Sequence, residues 1–326
     1  MHGAADSAFS DMSQPTFRFA PSPNGRLHLG HAASALLNER LAREGDGRLL
    51  LRIEDIDPVR SRPDLAEAIL ADLAWLGLAW EEPVRRQSEH MADYEAAACR
   101  LREEGLLYPC FCSRSEIGRA AEARAEREGR PIARDPDGTP LYPGTCRGLS
   151  AEAIAARMAE GRHPAWRLAM TKALARIKGE PLTWTRFDPA GSALSGAPQD
   201  EEDGSVQPGS RPDVAGASEV AADPARWGDA VLVRRDTPTS YHLAVVVDDA
   251  IQGVTHVVRG RDLEAATDLH RLLQALLGLP SPHYHHHALI LDEAGEKLAK
   301  RAGSPALADL RAAGETPASI RRRLGF

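Results

Sequence analysis

The stretch from Thr16 to Ile53 restricts the fold of this chain more than any other. Thr16 to Ala20 alternates apolar and polar as a short strand does, Pro21-Ser-Pro-Asn-Gly25 is dense in turn chemistry, and Ala32 to Glu44 has helical spacing at Leu36, Leu37 and Leu41. Gly45-Asp-Gly47 then leads into a second strand, Arg48 to Ile53. Strand, helix and strand in that order make a βαβ unit, which implies a parallel sheet. Ligands of open parallel sheets lie beyond the carboxyl ends of the strands, and Glu54 stands there. The turn sets His28 and His31 at a helix start, where unpaired N–H groups and the positive end of the dipole stabilise a phosphate and two imidazoles one turn apart can donate to it. Gly30 between them leaves room for a flat base or sugar.

A second stretch points to the same chemistry. Glu296-Lys-Leu-Ala-Lys-Arg301 follows an expected strand, His286 to Asp292, and a Glu-Ala-Gly turn, so Lys297 and Lys300 fall on a loop after a strand. Lysines there can reach a nucleotide phosphate and stabilise charge that develops in phosphoryl or adenylyl transfer.

Three cysteines form a third group. Cys110 and Cys112, with Cys146 further on, supply the thiolates of a zinc site that wants a fourth ligand, and on spacing alone Asp135, Asp137 or His163 qualifies. Four cysteines in 326 residues are too few for a disulfide scaffold and suit a reduced compartment. Neither an 18-residue apolar run nor a basic-then-apolar start occurs, so no membrane span or signal peptide is expected and the cytoplasm follows as the location. The net charge of −7 comes mostly from Asp200 to Asp223, where seven acids face Arg211. The remainder is close to neutral and compatible with a basic face for nucleic acid, to which the Arg321-Arg-Arg323 tail is a candidate contributor.

Together the motifs resemble class I aminoacyl-tRNA synthetases. His28-Leu-Gly-His31 stands in place of His-Ile-Gly-His, and Lys297-Leu-Ala-Lys-Arg301 in place of Lys-Met-Ser-Lys-Ser. The glutamyl branch is closer still: Arg18-Phe-Ala-Pro-Ser-Pro-Asn-Gly25, Leu51-Arg-Ile-Glu-Asp-Ile-Asp57, Ser240-Tyr-His-Leu-Ala-Val-Val-Val-Asp-Asp249 and His256-Val-Val-Arg-Gly-Arg-Asp262 look like its catalytic-domain motifs, in order, from about residue 16 to about 312. The resemblance implies an α/β, Rossmann-type class I catalytic core with an inserted zinc-containing α/β lobe of the kind that grips tRNA. It also implies that glutamate is bound by Arg18 (α-carboxylate), Phe19, Ala20, Pro21, Ser22, Glu54 (amino group), Tyr241 and Arg259, with Arg259 pairing bidentately to the side-chain carboxylate. ATP, with Mg²⁺, falls to His28, Gly30, His31 and Lys300, while Lys297 and Lys300 neutralise developing charge. A tyrosine four residues before the last cysteine completes the zinc set in the short glutamyl-type paralogues, which points to Tyr142 beside Cys110, Cys112 and Cys146. Ala299 and Arg301 depart from the common lysine-loop pattern.

Within that frame, residues 1–15 are expected to be disordered, 16–105 the first half of the catalytic domain, 106–187 the inserted lobe, 188–226 a flexible acidic insertion, 227–312 the second catalytic half with the lysine loop, and 313–326 a helical tail. Helices are expected from Ser61 to Gly77, Ser88 to Glu104, Ser113 to Glu128 with Glu116 at capping-box spacing, Ser150 to Glu160, and Asp262 to Leu277. Strands at Ala165 to Met170 and Leu182 to Phe187 belong to the lobe in this reading. Residues 190 to 225 carry too few apolar groups to offset their ordering entropy, and Ala230 to Val233 and Tyr241 to Val247 read as buried parallel strands. His283-Tyr-His-His-His287 is read as a strand whose alternation sends its histidines to opposite faces, against a shared metal.

The stretch after Arg301 is too short for a helical anticodon-reading domain. A glutamyl-type core, the Cys₃Tyr site and that shortness together resemble the glutamyl-queuosine tRNA(Asp) synthetase family. The implied reaction is activation of L-glutamate by ATP and transfer to the queuosine base in the anticodon loop of tRNA(Asp), by a monomer. The alternatives are a truncated glutamyl-tRNA synthetase charging tRNA(Glu), a nucleotidyltransferase of the same superfamily, and a non-catalytic tRNA-binding module.

Overall fold

The computed structural model describes residues 14–179, 181–189, 216–289 and 305–326. β1 (Thr16–Phe19), α1 (Leu29–Glu44) and β2 (Arg48–Ile53) form the expected βαβ unit, with Thr16 to Phe19 in parallel register with Arg48 to Leu51. The chain continues through α2 (Pro63–Trp75), β3 (Glu81–Arg86), α3 (Met91–Glu103), β4 (Leu107–Cys110), α4 (Arg114–Glu128), α5 (Ala151–Ala159), β5 (Ala165–Leu168), α6 (Met170–Arg176), β6 (Thr183–Arg186) and β7 (Ser218–Ala221). It ends with β8 (Val231–Val233), α7 (Tyr241–Ile251), β9 (His256–Gly260), α8 (Glu264–Leu277), β10 (His283–His287), α9 (Leu307–Ala312) and α10 (Pro317–Arg323).

The large sheet runs β3-β2-β1-β9-β10-β6-β7. Its first six strands are mutually parallel, and only β7, at the edge, is antiparallel. Strand order moves from β1 outward to β3, then restarts on the other side of β1 with β9. The crevice at that reversal, beyond the carboxyl ends of β1 and β9, is where doubly wound sheets bind ligands. Leu36, Leu37, Ile69, Leu73, Ile320 and Leu324 cover one face together with Phe17 and Phe19, while Tyr94, Leu101, Leu243, Val246, Leu269 and Leu273 form a second layer. Each such buried side chain contributes about 1.5–3 kcal/mol. A separate antiparallel sheet, β4-β5-β8, carries the cysteine-bearing part of the chain.

Several elements depart from expectation. Tyr241 to Val247 is the start of helix α7 rather than a strand, and Leu243 to Asp249 is buried throughout. A helix packed against α3, α8 and β8 is apolar around much of its circumference, so a short continuous apolar run fits strand and helix equally. Val231 to Val233 is a strand, but antiparallel to β5 in the small sheet. The strand within Leu182 to Phe187 pairs instead with β10 and β7 in the large sheet. Ser218 to Ala221 and a single turn at Pro224–Trp227 give structure to the end of the acidic stretch, whose residues 190–215 lie outside the described ones. The strand expected at His286 to Asp292 starts earlier, at His283, and ends at His287. Ser61 does not cap α2: Arg62 occupies that position, with Pro63 first in the helix. Strand β3 had no expectation attached to it.

Candidate active site

Helix α1 begins with two histidines that cap each other. His28 is the N-cap, its Nδ1 accepting the Gly30 N–H at 3.1 Å, and His31 Nδ1 accepts the His28 N–H at 3.2 Å. The two rings sit 3.9 Å apart, tilted by 43°. A neutral imidazole whose Nδ1 accepts carries its proton on Nε2, so the donor of each neutral ring is its Nε2–H. A Cβ at Gly30 would lie 3.0 Å from His28 Cε1 and 3.1 Å from its Nδ1. The side-chain direction at Gly30 is therefore filled by the His28 ring, while its backbone still lines the cavity. Ala306 bridges to His28, and the Leu307 N–H donates to Leu27 at 2.8 Å, so the chain beyond the lysine loop returns to this corner. Lys297 and Lys300 themselves lie outside the described residues.

Beneath the corner runs a buried charge network. Arg18 on β1 donates from Nε to Asp249 at 3.2 Å, and Arg52 on β2 donates to Asp249 at 2.8 Å and to Glu54 at 3.2 Å. Asp248 accepts from Arg85 and Gln87, each at 2.7 Å, and from Tyr94. Burial pushes Glu54 above its ordinary range, against the pull of Arg52 and Arg18. Burial also raises Asp249, but Arg18 and Arg52 outweigh it and hold the carboxyl below its usual range. The network was not expected from sequence; Asp248 and Asp249, directly after an apolar run, were the signal that could have shown it, since acids buried there must find partners.

Arg259, near the carboxyl end of β9, is 5% exposed and surrounded by neutral groups. It donates to Thr267 Oγ1 (2.8 Å), Tyr241 Oη (3.3 Å) and His286 Nε2 (3.5 Å), and pairs with His270 Nδ1 (3.3 Å). Among the described residues no carboxylate forms an ion pair with it. Burial first, and the Arg259 charge second, drive His286 down to about 2 and His270 well below its ordinary value. Both rings are neutral at physiological pH.

These groups meet in one cavity of about 720 Å³ at the carboxyl ends of the strands. Arg18, Phe19, Ala20, Pro21, Ser22, His28, Gly30, His31, Glu54, Tyr241 and Arg259 all line it. So do Asn24, Ser34, Asp262 and His287, which carried no expectation. His287 lies 3.1 Å from Ser34 through Nε2, and its position follows from strand alternation, which sends His283, His285 and His287 to one face and Tyr284 and His286 to the other.

The cysteines gather in the small lobe. Cys110 ends β4, Cys112 precedes the Ser113 cap of α4, and the Sγ atoms of Cys110, Cys112 and Cys146 lie within 4.8 Å of one another. Cys112 Sγ is 3.5 Å from Cys146 Sγ and 3.6 Å from Tyr142 Oη, which also accepts the Cys146 N–H at 2.8 Å. Tetrahedral zinc with Zn–S bonds near 2.3 Å separates its sulfurs by about 3.7 Å. The group thus has the dimensions of a metal site. Asp135, Asp137 and His163 are not part of it: among the described residues the three cysteines alone make up the candidate cluster of acidic, histidine and cysteine ligands.

The profile of tRNA synthetases class I (E and Q), catalytic domain, matches residues 16–180 and 210–325. The chain belongs to this family. Among class I (E and Q) synthetases, it is 46% identical to the "Glutamyl-Q tRNA(Asp) synthetase" of Rhodobacter capsulatus, over 95% of this chain and 99% of that one. The protein of the same name from Symbiobacterium thermophilum is 41% identical, over 95% of this chain and 85% of that one. A solved class I structure, the glutamate tRNA ligase of Elizabethkingia meningosepticum in complex with its amino acid, superposes with a TM-score of 0.65 at 27% identity over 90% of this chain. The chain spans 54% of the length of that ligase.

Proposed function

We propose that this protein activates L-glutamate with ATP and transfers it to the queuosine base in the anticodon loop of tRNA(Asp). The observation that carries the reading is the 46% identity to a relative of that name, along 99% of its length. The cavity supports the amino-acid half: a buried guanidinium with only neutral partners suits a substrate carboxylate, and Glu54, held by Arg52, offers a carboxylate to an ammonium.

In the first step the glutamate α-carboxylate attacks the α-phosphorus of ATP, forming glutamyl-adenylate and releasing pyrophosphate with its Mg²⁺. Arg18 faces the α-carboxylate, Glu54 the amino group, and Arg259 with Tyr241 the side-chain carboxylate. The Nε2–H groups of His28 and His31 and the start of α1 face the nucleotide phosphates. Lys297 and Lys300 are assigned the developing phosphate charge on their sequence pattern. In the second step a hydroxyl of the modified base attacks the activated carbonyl and AMP leaves. Catalysis comes from positioning and preorganised charge, with no side-chain nucleophile. Zinc held by Cys110, Cys112, Cys146 and Tyr142 would fix the lobe as a structural ion. We place the reaction in the cytoplasm, carried out by a monomer; no described helix is long and apolar enough to cross a membrane.

The test is transfer of labelled glutamate, with ATP and Mg²⁺, to tRNA(Asp) with queuosine, tRNA(Asp) without it, and tRNA(Glu). Label confined to the first supports the reading. Label on tRNA(Glu) gives preference to a second reading, favoured by the likeness to a glutamate tRNA ligase, in which the protein charges that tRNA. Failure of glutamate to drive pyrophosphate exchange would remove both.

A further inference from the structure

Most of the Arg259 donors are already engaged within the protein. The guanidinium carries five N–H groups. Nε–H points to His286, the two on Nη1 to Tyr241 and His270, and one on Nη2 to Thr267. One Nη2–H remains. The bidentate grip expected from sequence needs two free N–H groups on one edge, and this arrangement does not offer them.

The partners complete a consistent proton pattern. Tyr241 Oη accepts from Arg259, so its own hydrogen is left to donate, and Tyr241 lines the cavity. Thr267 Oγ1 accepts from Arg259 and lies 2.9 Å from His286 Nε2, the atom that also accepts the Arg259 Nε–H, so the threonine hydroxyl donates to His286. His270 accepts at Nδ1 and therefore carries its proton on Nε2, 3.1 Å from His242 Nδ1. Among the described residues every hydrogen bond from Arg259 goes to a neutral acceptor, and the Tyr284 ring it lies over, 5.6 Å away, is neutral too, so its charge is not cancelled by a carboxylate there.

We infer that Thr267, His270 and His286 are positioning residues which fix Arg259 so that it meets an anionic side chain through one N–H, with the Tyr241 hydroxyl as the second donor. The proposal deepens the glutamate reading and rests on it. A carboxylate takes one hydrogen bond on each oxygen, from Arg259 and from Tyr241. An amide in the same place turns its NH₂ toward one of those donors, or leaves the guanidinium charge without a counter-ion, so glutamine is rejected. If the neutral shell were lost, Arg259 would swing and the two donors would no longer converge on one group.

The test uses four substitutions in the full chain: Thr267→Val and His270→Leu remove the acceptors, while Thr267→Ser and His270→Asn retain them. Pyrophosphate exchange is measured with glutamate and with glutamine, alongside thermal midpoints. Thr267→Val is expected to raise KM for glutamate about tenfold, the range for losing a hydrogen bond to a charged group, with kcat within about twofold and the glutamate-to-glutamine preference reduced to match. Thr267→Ser restores both. His270→Leu and His270→Asn repeat the contrast at an independent position, should the valine variant not fold. Wild-type KM and preference in both Thr267→Val and His270→Leu would overturn the inference, as would losses that the conservative variants fail to rescue. Absence of glutamate-dependent exchange in the unmodified protein would instead refute the glutamate reading itself.

Discussion

Gly30→Ala separates the stability of the α1 start from its chemistry. The new methyl would sit 3.0 Å from His28 Cε1 and 3.1 Å from Nδ1, several tenths of an ångström inside ordinary contact. The obstacle is a side-chain ring, so His28 turns away at little cost to the backbone. Turning breaks the bond from the Gly30 N–H to Nδ1, a cap worth about 1 kcal/mol. Alanine replaces glycine in a helix with a gain of about the same size. The two terms nearly cancel, and the urea midpoint should move little. Activity should not be spared, because Nε2–H loses its aim at the phosphates; removal of one such donor costs about 10²–10³ in rate. The assay is glutamate-dependent pyrophosphate exchange beside urea denaturation. Gly118→Ala is the control, since nothing lies within 4 Å of a Cβ there. Exchange within threefold of wild type for Gly30→Ala would refute the argument that His28 acts through a fixed ring.

Asp249→Asn should lower stability: the amide keeps an oxygen that can accept from Arg18 and Arg52 but removes the buried negative charge paired with both, a change that costs about 3–5 kcal/mol and should appear as a large drop in the urea midpoint. Because the Asp249 carboxyl is held below its ordinary 3.8, its stabilising share is complete above about pH 4 and is lost as pH falls through the depressed value; acid titration of the variant should lack that component. Glu54 has the reverse sign, its raised value in the fold making ionisation unfavourable as pH rises past 4.5, and loss of the Asp249 charge should ease that ionisation. For the cysteine site, metal analysis of the purified protein should find one zinc per chain. Cys146→Ser should remove most of it and Tyr142→Phe should weaken retention against a chelator; equal retention by Tyr142→Phe and wild type would exclude the phenol as a ligand.

Local chemistry was readable wherever a signal lay within a few residues. The βαβ opening, Glu54 at the end of β2 and the Ser113 cap with Glu116 depend on near neighbours, and all three appear in the fold. The convergence of Cys110, Cys112 and Cys146 was legible because a metal-site reading of their spacing requires it whatever lies between them. What failed depended on distant partners. Nothing in four residues of β6 says whether β10 or the lobe will pair with it, and the valines of α7 favour a strand until α3 and α8 enclose them. The Arg259 shell was hidden for the same reason, since Thr267 and His270 come from α8 and His286 from β10. The histidine run at 283–287 was visible in sequence, but its alternation argued only against a shared metal and suggested no contact with an arginine.

The β1 and β9 pairing, Phe17 against His256, also sets a timetable for biosynthesis. At about 5–20 residues per second, a ribosome needs on the order of ten to fifty seconds to extend the chain from one strand to the other. Through that interval the first three strands can assemble, but β1 presents an unpaired edge whose backbone is a template for any passing strand. The cavity cannot exist until β9 arrives to close that edge. A nascent chain of this protein therefore carries that open strand edge before it can form the cavity, and a pause in translation between these strands lengthens the exposure.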